Sequence, residues 1–229
     1  MKTGRSRSRE GRIAKSAGAL GLVGLLFCGV GLGQESAPQY AIDTGASEVH
    51  WLVYKAGALA RLGHNHTVAV GDLRGRVTKN EADLAASRFE LEFSVAALVV
   101  DDPSLRGALG EEFASVPTAN DIAGTRTNML SERVLDGEKY PGIRVIGTGP
   151  ITRDGAQTLA VTVELLGRSV PLSVPTQVAI DGDSITASGE FELNHADLGM
   201  QPFSVMMGAL QVGEKLSFSY RITARREAH

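Results

Sequence analysis

Cysteine is almost missing from this chain: Cys28 is the only one in 229 residues. It lies in an uncharged run, residues 17–33, that is rich in Leu and Gly and follows Lys2, Arg5, Arg7, Arg9, Arg12 and Lys15. A basic start followed by such a run is the pattern of a signal peptide, expected here over residues 1–33. The run is too short and too glycine-rich for the ~20 strongly apolar residues that cross a bilayer. Gly31 and Gly33 suit the −3 and −1 positions of a cleavage site before Gln34. A mature chain starting there has no cysteine, which excludes disulfides, thiolate metal sites and a cysteine nucleophile. Phe27 occupies the position where a lipoprotein signal needs a small residue before the modified cysteine, so anchoring through Cys28 is not expected.

Positive charge is lacking as well. Without residues 1–33, Lys+Arg falls from 23 to 17 and Asp+Glu from 26 to 25, a net charge of about −8. Such a domain lacks the basic field that supplies most affinity for phosphate backbones, and nucleic acid is not an expected partner. Catalytic signatures are also missing. There is no Gly-x-Ser-x-Gly elbow, no Ser-x-x-Lys motif and no glycine-rich phosphate loop. Gly147-Thr148-Gly149-Pro150 comes nearest, and its proline spoils a dinucleotide fingerprint. The letters of His64-Asn65-His66 match a nuclease signature that needs a ββα metal fold, which nothing else here indicates. The adjacent pairs Asp101-Asp102 and Glu111-Glu112 read as solvated helix caps and faces.

What is present is a period of two, the spacing that puts alternate side chains on one side of a sheet. Phe89, Leu91, Phe93 and Val95 alternate with Glu90, Glu92 and Ser94. Leu159, Val161, Val163 and Leu165 repeat the pattern, as do Ile185, Ala187, Phe191 and Leu193, and finally Leu216, Phe218, Tyr220 and Ile222. Alternation of this kind favours antiparallel sheet with one solvated face. Asp154-Gly155 and Asp181-Gly182 each stand between two such runs, as tight hairpin links require. Pro171 and Pro175 cannot donate ladder hydrogen bonds, so the segment 170–175 is expected at an edge or a bulge.

Between Asp101 and Pro141 the period changes. Leu105, Leu109 and Phe113 share one helical face, and Ile122, Met129 and Leu130 a second. Asp102-Pro103 offers a helix start, while Gly107, Gly110 and Gly124 weaken both helices. One or two short helices inserted in a long loop are expected, confined largely to Pro103–Leu135.

Four segments in order carry a resemblance. They are Arg61-Leu62-Gly63-His64-Asn65-His66 after the strand Val49-His50-Trp51-Leu52-Val53-Tyr54, then Asp136-Gly137-Glu138-Lys139-Tyr140-Pro141, then Leu166-Gly167-Arg168-Ser169-Val170-Pro171-Leu172, and last Asp197-Leu198-Gly199-Met200-Gln201-Pro202-Phe203. Over roughly Tyr40 to Ala224 the chain resembles the YceI-like family of bacterial periplasmic proteins. The resemblance implies an all-β fold: an extended, lipocalin-like antiparallel barrel of about eight strands, here spanning residues 38–227. It also implies a polyisoprenoid or similar amphiphilic lipid as partner, held without catalysis, and a periplasmic location. No cofactor is expected, and a homodimer stays open as an assembly. Many relatives carry an acidic residue between the two histidines where this chain has Asn65.

Barrels of about eight strands are either filled by side chains or hollow around one ligand. On the hollow reading Trp51, Phe89, Phe93, Phe191, Phe203, Phe218 and Tyr220, with Met200, Met206 and the adaptable Met207, are candidates to line the cavity. Ala187, Gly189, Gly71 and Gly75 are candidates to leave room in it. Packing in a solid core is the plainer role for any one of these side chains.

The histidines admit three readings. His64 and His66 sit two apart, so in a strand they share a face, and His195 continues the apolar parity of Phe191 and Leu193. They can be plain structure, a polar cluster at the lipid headgroup, or three ligands of a zinc site with an open position. That last reading would make the barrel a metal-dependent enzyme. A protein-interaction barrel that holds no ligand is a further alternative.

Overall fold

The computed structural model describes residues 37–227. The expected signal peptide and Cys28 lie outside the described residues.

Twelve strands form one antiparallel sheet: β1 (Gln39–Ile42), β2 (Glu48–Ala56), β3 (His66–Ala69), β4 (Arg74–Thr78), β5 (Arg88–Ser94), β6 (Val99–Val100), β7 (Gly142–Arg153), β8 (Ala156–Leu165), β9 (Arg168–Asp181), β10 (Ser184–Asn194), β11 (Ser204–Val205) and β12 (Leu210–Arg226). Eight of them close a ring in the order β1-β4-β5-β7-β8-β9-β10-β12, because β12 returns to pair with β1 through Tyr40–Arg226 and Ile42–Ala224. Closure leaves this ring without a free edge except along the first half of β9, which pairs with β8 alone. Farther along β12, residues 211–221 pair with β2, which pairs with β3 and then β6. The wall is therefore prolonged at one end by β2, β3 and β6, as the expected extended barrel requires.

The alternating segments become barrel strands for the reason their pattern gives: apolar residues at every second position turn inward. Asp154-Gly155 is a hairpin turn with φ of 49° and 79°, while the expected Asp181-Gly182 turn falls one residue on, at Gly182-Asp183, with Gly182 at 55° and Asp181 pairing with Ser184 as the last residue of β9. A third tight turn, Leu166-Gly167, joins β8 to β9 with φ of 53° and 71°. Leucine seldom occupies that region, so the dipeptide carries a weak turn signal. The proline-bearing part of β9 pairs with β8 alone, and pairing with β10 begins only at Gln177. The expected edge is there because Pro171 and Pro175 need not donate on the open side.

Two α-helices sit in the loop from β6 to β7, α1 (Pro103–Gly107) and α2 (Ala119–Leu130). Asp102 caps α1, its Oδ1 accepting the N–H groups of Ser104 and Leu105 at 2.9 and 3.0 Å. Thr118 and Asp121 form a reciprocal capping box on α2. The face Leu105, Leu109, Phe113 does not survive as one helix. α1 stops at Gly107, and Phe113 belongs to a 3-10 turn, Glu111–Phe113. The cause lies in Arg106, which donates to the carbonyls of Phe113 and Ser115 at 2.9 and 2.6 Å and folds the chain back across itself. On α2, Met129 and Leu130 pack against a buried apolar cluster that includes Val68, Leu98, Leu135, Leu165, Leu198 and Leu216.

Candidate functional site

The barrel is hollow. A cavity of about 550 Å³ runs inside it, within the usual range for small-molecule sites. β12 shows its length: Leu216, Phe218, Tyr220, Ile222 and Ala224 all line it. At ~3.4 Å per residue this is roughly 27 Å of strand, or about 20 Å along the barrel axis after the usual tilt. The lining is overwhelmingly aliphatic and aromatic. Phe191 and Phe218 stack with ring centres 5.0 Å apart and planes within 7°, Trp51 lies 5.8 Å from Phe218, and Phe191 meets Tyr220 edge-on at 6.3 Å. Phe89, Phe93 and Phe203 border the same space, the last under the Arg133 guanidinium at 4.5 Å.

Polar groups concentrate at the end that carries α2, where His64, His66, Thr125, Asn128 and His195 all border the cavity. His66 opens β3, opposite Val53 of β2. Its Nδ1 donates to Asp101 Oδ2 at 2.6 Å, and its Nε2 stands 3.4 Å from Thr125 Oγ1 on α2. The Asp101 side chain is fully buried. Its other oxygen accepts from Thr67 N–H at 2.9 Å and from Arg106 Nη1 at 2.6 Å. Burial pushes this carboxyl up, yet the hydrogen bonds from His66, the Thr67 N–H and Arg106 outweigh it and hold Asp101 below the usual carboxylate range. Arg106 is itself spent, since it also donates to Asn65 O at 2.7 Å and to the two loop carbonyls.

Asn65 is buried between the histidines and uses both ends of its amide. Oδ1 accepts from Lys55 N–H and Nδ2 donates to Glu112 O, each at 3.0 Å. A carboxylate at this position would lack the second of these, a physical reason for Asn here. His64 is looser, with Nδ1 3.4 Å from Ser115 Oγ and Nε2 3.8 Å from Asp121 Oδ2. The His64 and His66 rings lie 6.2 Å apart.

His195 is buried at the start of a 3-10 turn, His195–Leu198, and donates Nδ1–H to the Glu214 carbonyl at 2.9 Å. Glu214 lies in the irregular stretch of β12 between Val212 and Leu216, where the register with β2 shifts. That bulge frees the carbonyl from the ladder. The three histidines border one cavity but do not gather around a point: among the described residues no group of three or more His, Cys, Asp or Glu side chains could hold a metal.

Around the cavity the structure departs from the sequence expectations in four places. Met206 and Met207 do not line the cavity; both stand exposed in a turn with left-handed backbone at φ 52° and 54°. Gly189 leaves no room either, because an added Cβ would meet Pro175 O at 2.4 Å and the Tyr220 ring at 3.0 Å. Gly71 and Gly75 likewise permit close approach of Ala97 O and Glu90 O instead of opening ligand space. Asp101 is no solvated cap; only its neighbour Asp102 is. Asp101, Arg106 and Thr125 carried no signal in the sequence, since neither motif nor spacing links them to a histidine 35 or more residues away.

The sequence profile of the YceI-like domain matches residues 40–224. No curated protein matches the chain. Among solved structures, Burkholderia cenocepacia BcnA is similar at 12% identity and TM-score 0.57, the match covering 80% of this chain and 98% of that one. A polyisoprenoid binding domain from Saccharophagus degradans implicated in plant cell wall breakdown is similar at 11% identity and TM-score 0.54, covering 82% and 98%. At such identities the likeness is one of fold, which agrees with the eight-stranded ring described above. With a profile match across nearly all of the described barrel, the chain belongs to the YceI-like family.

Proposed function

We propose that this protein is a non-enzymatic carrier or sequestering protein for a long-chain apolar amphiphile, a polyisoprenoid or similar lipid, acting in the periplasm after export. The observation that carries the reading is the shape and chemistry of the cavity: long, apolar along its walls, with the histidines grouped at one end and, among the described residues, only Lys79 and Ser87 as polar lining at the other. A chain lipid gains ~0.8 kcal/mol per buried methylene, less the cost of ordering a flexible chain. Apolar walls thus read length and width, and only polar groups at the cavity's ends can read a headgroup. The ligand-binding residues proposed are Trp51, Phe89, Phe93, Phe191, Phe203, Phe218 and Tyr220 along the chain, with His64, His66 and His195 at the head. The polyisoprenoid-binding description of the Saccharophagus domain supports the choice of ligand class. The basic start and apolar run of residues 1–33 support export.

Native mass spectrometry of protein purified without detergent tests this. The expected result is a species heavier than the polypeptide by the mass of a lipid. A bare polypeptide would overturn the carrier reading, and a stoichiometric metal bound through the histidines would replace it with the enzyme alternative.

A further inference from the structure

We infer that the polar end of the cavity selects a headgroup that donates a hydrogen bond, a free alcohol or phenol hydroxyl, over an ether, ester or phosphate head. The inference rests on the carrier reading and concerns only what lies at the end of the chain.

His66 Nδ1 faces Asp101 Oδ2 at 2.6 Å, and His195 Nδ1 faces the Glu214 carbonyl at 2.9 Å. An ionised carboxylate and a carbonyl only accept, so each contact places the ring's proton on Nδ1. In the neutral ring the remaining nitrogen, Nε2, is then a bare acceptor. Both rings border the cavity, and neither Nε2 has a close protein donor among the described residues. His66 Nε2 has only the Thr125 hydroxyl, at 3.4 Å, longer than a good O–H···N bond. A ligand hydroxyl inserted there would donate to His66 Nε2 and accept from Thr125 O–H, turning one long contact into two good ones. A head that only accepts would leave the Nε2 lone pair unmet in an apolar chamber, a loss that sites built for a hydroxyl exploit for discrimination.

The charges around the rings disfavour phosphate. Asp101 stands behind His66, and Asp121 Oδ2 lies 3.8 Å from His64 Nε2. The Arg106 guanidinium is consumed by Asp101 and three carbonyls. Lys55, which also borders the cavity, donates its ammonium to Gly63 O at 2.9 Å.

The test titrates the protein, stripped of lipid, with a C20 prenyl alcohol, its methyl ether and its monophosphate. Binding is followed through the fluorescence of Trp51, the single tryptophan of the sequence and part of the cavity wall. We expect the alcohol to bind about tenfold tighter than the ether, equivalent to ~1.4 kcal/mol, with the phosphate weakest. His66→Phe, which removes one Nε2 acceptor, should narrow the gap between alcohol and ether, whereas Thr125→Val, an isosteric change on α2 that leaves Nε2 in place, should keep the alcohol ahead of the ether. The wild-type comparison decides the matter even where a variant folds poorly. Equal affinity for alcohol and ether, a preference for the phosphate, a preference undiminished in folded His66→Phe, or one lost in folded Thr125→Val would overturn the headgroup inference while leaving the carrier reading intact. Failure of all three probes to bind would remove the carrier reading and this inference with it.

Discussion

His66 Nδ1 and Asp101 Oδ2 lie 2.6 Å apart across 35 residues of chain. This contact fastens the first residue of β3 to the loop that carries both helices. Arg106 holds the other side of the same carboxylate, so one buried charge orients the imidazole at the polar end of the cavity and pins the α1 segment over it.

Asp101→Asn tests that bond. Asparagine tolerates the left-handed backbone Asp101 adopts, φ 56°, so the change removes the charge and one of the two accepting oxygens without straining the backbone. It leaves the Arg106 guanidinium buried beside a neutral amide. Breaking a buried pair in this way costs about 3–5 kcal/mol, readable as a lower denaturant midpoint at unchanged slope. A loss below about 1 kcal/mol would mean that water reaches Arg106 freely.

Asp101 also sets an acid dependence. Its carboxyl lies below its ordinary value of 3.8 in the folded protein, so the unfolded chain takes up a proton first as pH falls. The stabilisation is complete above that ordinary value and is lost as pH drops through the lower folded value. Urea midpoints recorded downward from neutral pH should therefore decline steeply below about pH 4. In Asp101→Asn this part of the slope should be absent, and parallel curves for the two proteins would refute the assignment.

Position 187 separates filling the cavity from breaking the barrel. Ala187 borders the cavity, so Ala187→Trp is expected to lower lipid occupancy in native mass spectra while the protein stays folded. Gly189→Ala should instead destabilise by ~1–3 kcal/mol, because its Cβ would strike the Pro175 carbonyl at 2.4 Å. A stable Gly189→Ala protein would show that β9 and β10 part more easily than the geometry implies.

Met207→Ser should leave lipid occupancy where it was, since that side chain is exposed and borders no part of the cavity. Reduced occupancy would show that the Met206–Gly208 turn folds inward over a bound ligand.

Export predicts that mature protein begins near Gln34. Edman sequencing of the exported form is the measurement, and a Met1 start would show that the leader is retained.

Much of the architecture was legible because it is encoded locally. Alternation in residues 89–95, 159–165 and 185–193 turns apolar side chains to one face whatever the partner strand is, and Asp154-Gly155 and Gly182 bend the chain by their own backbone preferences. Asp102-Pro103 starts a helix for the same reason. Resemblance to the family supplied the closed ring, which alternation alone does not distinguish from a sandwich.

Tertiary structure alone decided which groups meet. Gly189 reads in sequence like a vacancy beside Phe191, yet Pro175 O and Tyr220 occupy the space, because the register of β10 on β12 places Tyr220 opposite it. Met207 reads like cavity lining, yet its left-handed backbone sends it to solvent. Asp101 beside Asp102 reads like half of a helix cap, and becomes the buried partner of a histidine on another strand. Strand periodicity and turn chemistry are properties of neighbours along the chain, so the amino-acid order determines them unaided. The hollow interior and its polar end arise from pairings between residues dozens of positions apart, where energy is gained only once the barrel has closed.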